Sequence, residues 1–101
     1  MTTPPIACSL TPAGRDERAA LVAQLAADAL VDRERHGGSL VLRFRQGAGV
    51  EERVRAWAAL EAECCPFLRM TVDTAASLVT LRIDGPEEAT PIIDDLLREL
   101  R

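Results

Sequence analysis

Leu40, Leu42 and Phe44 alternate with Val41, Arg43 and Arg45, and this two-residue period constrains the chain more than any other feature. A strand turns successive side chains to opposite faces, so the run reads as a half-buried strand with one face on a core and one in water. The period returns twice more. Leu68, Met70 and Val72 share one face, and Val79, Leu81 and Ile83 share the next. Residues 73–77 between them are few enough for a hairpin connection.

Helical spacing fills the remaining stretches. Thr11 is placed to cap a helix, with Pro12 in the first turn, where proline is tolerated. Helix formers continue through Glu34, with Val22, Leu25 and Ala29 as the buried stripe and Leu21 and Ala26 beside it. The sequence His36-Gly37-Gly38 reads as its end, since glycine admits the left-handed conformation common after helices. A second helix is expected over 50–64, with Val50, Val54, Trp57 and Leu60 or Glu61 facing inward. Pro66 disfavours helical geometry at Cys65 and stops it. Thr90-Pro91 caps a last helix in which Ile92, Ile93, Leu96, Leu97 and Leu100 recur at helical spacing. Ile6, Cys8 and Leu10 alternate as a short strand would place them.

The expected order is therefore β-α-β-α-β-β-α. The expectation is a small single-domain α+β sandwich with one mainly antiparallel sheet and helices packed on one face. Residues 1–5 read as a flexible lead-in and 6–101 as the domain. With 101 residues there is room for one modest core. Arg43, Arg45, Arg69 and Arg82 would share the other sheet face, either as a solvated surface or as a subunit contact. An RNA-reading sheet needs exposed aromatic side chains, and the three present (Phe44, Phe67 and Trp57) fall near the core.

Composition removes several functions. The net charge of −4 argues against binding nucleic acid through its phosphates. All 12 basic residues are arginine, and alanine is abundant, a bias typical of GC-rich bacterial genomes. Residues 1–5 have neither the basic region nor the apolar run of a signal peptide, and no stretch approaches the roughly 20 apolar residues of a membrane span. A cytoplasmic protein is expected, with no membrane partner. In that compartment three cysteines are expected as free thiols or metal ligands rather than as a structural disulfide set.

Those cysteines carry the chemistry. Adjacent residues on a regular helix point about 100° apart, so Cys64 and Cys65 would diverge if the helix continued. The break at Pro66 leaves Cys64 on the last helical turn and pushes Cys65 toward extended geometry, which lets both sulfurs turn to one point. Cys8 supplies a third sulfur if its strand packs beside that helix end. Three thiolates without histidine suit soft ions such as Hg(II), Cu(I) or As(III) better than structural zinc, which takes four ligands. The competing reading treats cysteine as a small core hydrophobe, and for Cys8 it has at least equal weight. Glu61, one turn before Cys64, is either a neighbouring carboxylate of the site, a marginal ligand or proton carrier, or a polar residue at the edge of the helix stripe. A carboxylate there raises a thiol pKa and opposes a thiolate nucleophile. His36 is the single histidine, which removes Ser-His-Asp and two-histidine sites. Its place in a glycine turn fits an ordinary helix C-terminal role. Trp57 and Met70 read as packing.

The residues Ala7-Cys8-Ser9-Leu10, followed by Glu61-Ala62-Glu63-Cys64-Cys65-Pro66-Phe67 and a hairpin ending near Gly85-Pro86, resemble a small actinobacterial domain. That domain occurs alone or appended to MerR-like regulators. The resemblance implies an association with heavy-metal or thiol stress, with Cys8, Cys64 and Cys65 at the matching positions. The helix-turn-helix of those regulators has no counterpart here, so DNA binding is not carried over.

Three functions are expected in descending order. The first is thiolate binding of a soft metal or metalloid ion by Cys64, Cys65 and Cys8, for resistance, sequestration or sensing. The second is a thiol-dependent enzyme using Cys64 and Cys65. The third is a structural domain that forms a homodimer through the arginine face or the last helix.

Overall fold

The computed structural model describes residues 12–100, without the side chains of residues 12–16, Cys64 and Glu99. The strand expected at 6–10, its Cys8, the lead-in 1–5 and the cap at Thr11 lie outside the described residues. Within them the chain is an α+β domain of one four-stranded antiparallel sheet with helices packed against it. The elements run α1 (Pro12–Ala29), β1 (Leu30–His36), β2 (Ser39–Arg45), α2 (Val50–Cys64), β3 (Arg69–Ala75), β4 (Leu78–Asp84) and α3 (Thr90–Glu99), with a 3₁₀ turn at Glu87–Ala89 before α3.

Two hairpins make the sheet. β1–β2 and β3–β4 are joined through β2 and β4, so the spatial order is β1-β2-β4-β3. The central pair carries the core: Leu40 faces Ile83, Leu42 faces Leu81, and Phe44 faces Val79. All six side chains are fully buried. Against them lie Val22, Leu25, Ala26 and Ala29 of α1, Val50, Val54, Trp57 and Ala58 of α2, and Ile93, Leu96 and Leu100 at the end of the chain. The alternating Leu40, Leu42 and Phe44 thus mark the sheet's inward face.

The expected order needs one correction. α1 ends at Ala29, and Leu30–His36 forms a strand where the sequence reads as more helix. Its residues are fair helix formers, but intrinsic propensity is a weak force beside a full hairpin ladder. β1 pairs with β2 from Leu30 opposite Phe44 to His36 opposite Ser39, with a register shift between Leu30 and Asp32. Gly37, at φ 57°, and Gly38 form the two-residue turn, so the glycine pair turns a hairpin and does not end a helix. His36 accordingly lies at the end of a strand, paired with Glu34 at 2.8 Å, and has no helix C-terminal role. Residues 73–77 also shrink as a connection: β3 runs to Ala75, and the turn is Ala76-Ser77, with Ala76 at φ 54°.

α2 begins after Gly49, whose φ of 75° is a left-handed cap position, and it ends at Cys64 as expected. At α3 the capping expectation fails. Ala89 occupies the cap, and the Thr90 hydroxyl donates back to the Glu87 carbonyl at 2.7 Å.

The wet face of the sheet carries ion pairs. Arg43 binds Asp32 at 2.7 Å and also Glu34 across the β1–β2 hairpin. Arg82 binds Asp84, which in turn accepts the Ser39 hydroxyl. Arg45 and Arg69 are exposed.

Candidate thiol site

The end of α2 is built by its backbone. The Cys65 N–H donates to the Glu61 carbonyl at 2.7 Å and completes the last helical turn, while the Cys65 carbonyl accepts the Leu68 N–H at 2.9 Å. Between these bonds Cys65 takes φ −123° and ψ 74°, outside helical geometry, as a residue before proline must. The chain then turns through Pro66 and Phe67 into β3. Cys65 is fully buried and belongs to the hydrophobic core. Cys64 is the final residue of α2, with its side chain outside the described set.

Cys65 is disulfide-bonded, and the partner side chain lies outside the described residues. The expectation of free thiols therefore fails for Cys65. A half-cystine has no thiolate to offer a metal, so chelation by this residue first requires reduction. Among the described residues no group of three or more cysteine, histidine, aspartate or glutamate side chains is arranged to hold a metal ion. The side chains of Cys8 and Cys64 are not among the described residues.

One helical turn before Cys65, Glu61 is only 3% exposed. The sequence left its orientation open between Leu60 and Glu61; Glu61 points in, and Leu60 is 39% exposed. Burial pushes the Glu61 carboxyl above the usual carboxylate range, and Arg18 and, more weakly, Trp57 pull the other way. Arg18 reaches across from α1. Its guanidinium stands 3.5 Å from Glu61 Oε1 and donates to the Leu60 carbonyl at 3.0 Å. The Trp57 indole N–H is buried and has no hydrogen-bond partner among the described residues. It lies near enough to the Glu61 carboxylate to favour its charge, without a bond of good geometry.

Glu61 is therefore a buried group held by a helix–helix ion pair, beside a buried cysteine. Arg18 had no signal in the sequence, because its pairing depends on how α1 crosses α2. Trp57 did carry one: it precedes Glu61 by four residues, the spacing of neighbours on a helix face.

Comparisons with known protein families, with curated proteins and with solved structures find no match for this chain. Among the described residues no helix is long and apolar enough to cross a membrane.

Proposed function

We propose that the domain is a thiol switch that captures a soft metal or metalloid ion in its reduced form. The observation that carries this reading is the disulfide at Cys65, because a disulfide requires a second cysteine sulfur at bonding distance. Two sulfurs that meet when oxidised are two ligands brought together when reduced. Cys64 and Cys8 are the other two cysteines of the chain and complete the ligand set. The resemblance to a small actinobacterial domain, found alone or appended to MerR-like regulators, points the same way.

The chemistry runs in two steps. A cellular thiol reductant takes up the oxidising equivalents, and the protein disulfide becomes two thiols while two molecules of reductant become one disulfide. The freed thiols then bind a divalent ion such as Hg(II) as thiolates and release one proton for each sulfur bound. Binding therefore weakens as pH falls. A reducing cytoplasm holds the domain in its binding form, and oxidative stress withdraws it. Glu61 supports the helix end and does not ligate, since its carboxylate is committed to Arg18.

Titration of the protein with Hg(II), followed by thiolate charge-transfer absorbance, tests this directly. The reduced protein should bind one Hg(II) with the charge-transfer band of a multi-thiolate complex, and both the oxidised protein, which keeps a single thiol, and Cys65→Ser should lose that band. Full binding retained by Cys64→Ser/Cys65→Ser would sink the proposal.

The disulfide also favours a second reading, thiol–disulfide exchange on another protein. Turnover of a disulfide substrate at the expense of a dithiol reductant, abolished by Cys65→Ser, would select it.

A further inference from the structure

The two edges of the sheet are built differently. β1 is shifted in register near Val31 and carries Asp32, Arg33, Glu34 and Arg35 in succession, features by which natural sheets discourage pairing at an edge. β3, the opposite edge, pairs with β4 without interruption from Arg69 to Ala75 and contains neither proline nor bulge. Among the described residues no strand pairs with its outer side.

The turn at Ala76-Ser77 determines which backbone groups face that side. Ala75 and Leu78 flank a two-residue turn and form the first narrow pair, and narrow and wide pairs alternate from there. Met70, Val72 and Thr74 therefore direct their N–H and C=O groups outward. On the wet face, Arg69 and Asp73 are exposed and enter no ion pair within 4 Å among the described residues, although Arg69 stands opposite Asp84 in the ladder and weakly favours its charge. Their neighbours on that face, Arg43, Asp32, Glu34, Arg82 and Asp84, are all paired. Arg69 and Asp73 lie about 13 Å apart along the strand, too far to pair with each other.

We propose that β3 pairs antiparallel with β3 of a second copy of this chain, about a two-fold axis at Thr71, which joins two four-stranded sheets into one. In this register Arg69 stands opposite the partner's Asp73, and Asp73 opposite the partner's Arg69. Both are wide pairs, in which facing side chains approach most closely. Met70 and the partner's Val72 meet as a narrow pair on the helix-covered face, where both residues are half-buried against the core. A shift that centres the axis on Val72 would keep the backbone bonds but set Arg69 against the partner's Ala75, losing both ion pairs. Charge thus selects the register, and the edge is self-complementary as a two-fold contact requires.

The test is sedimentation velocity on the full chain over a concentration series, in a thiol reductant so that no intermolecular disulfide contributes. The wild type should dimerise. Arg69→Asp places two like-charge pairs across the axis and should raise the dissociation constant about tenfold or more. Arg69→Asp combined with Asp73→Arg should restore the dimer. Both sites are exposed, so circular dichroism should be unchanged in each variant. A monomer throughout the series, a dimer indifferent to Arg69→Asp, or a double variant no stronger than the single one would overturn the proposal.

Discussion

Two of the arginine–glutamate pairs among the described residues have opposite consequences. On the wet face of the β1–β2 hairpin, Arg43 binds Glu34 with side chains 30% and 40% exposed. Between α1 and α2, Arg18 meets Glu61 with 11% and 4% exposed. A hydrogen bond from His36 and then one from Arg43 hold the Glu34 carboxyl below its usual range, whereas burial drives Glu61 above it. Ion pairing alone thus fixes neither the sign of a pKa shift nor its effect on stability; the desolvation it must overcome does.

The largest expected effect lies in the buried pair. Glu61→Ala should destabilise the fold by about 2 kcal/mol, because Arg18 would be left partly buried with only the Leu60 carbonyl to satisfy it. Chemical denaturation with an unchanged m-value would measure this. Equal stability of the variant would mean that the pair contributes nothing net.

The pH dependence of stability separates the two regions by sign. Glu61, with its raised folded pKa, contributes stability below its ordinary value, and that contribution is lost as pH rises through the folded value. Asp84 is held low by the Ser39 hydroxyl and then by Arg82, and Glu34 is held low as well. Both contribute above the ordinary carboxylate range and lose that contribution as pH falls through their depressed values. Glu61→Gln should flatten the decline on the neutral side and leave the acid limb intact. The smallest effect is expected at the surface: Glu34→Gln should move the unfolding midpoint only slightly at neutral pH, and added salt should erase even that difference.

The same contrast governs what the sequence reveals. Strands β2, β3 and β4 and the inward positions of α3 are legible because burial on one face writes its period into the chain. β1 is not legible, since an edge strand covered with charge has no apolar period and is made by the ladder it joins. α2 and its end at Cys64 are readable from the inward stripe and Pro66. The polar corner beside it is only half readable: Glu61 shares a helix face with Trp57, but Arg18 arrives from another element across a helix crossing that no local pattern encodes.

The vicinal cysteines show a further limit. Their placement at a helix end follows from proline chemistry, whereas the oxidation of Cys65 depends on a second sulfur reaching bonding geometry, which sequence spacing alone does not decide. The thiol reading consequently shifts from a standing metal site to a redox-gated one. Native mass spectrometry of the protein with arsenite, before and after reduction, tests that shift most directly. The account predicts one arsenic per chain after reduction, none before it, and none in reduced Cys65→Ser. Arsenic bound equally by the oxidised protein, or by Cys65→Ser, would contradict it.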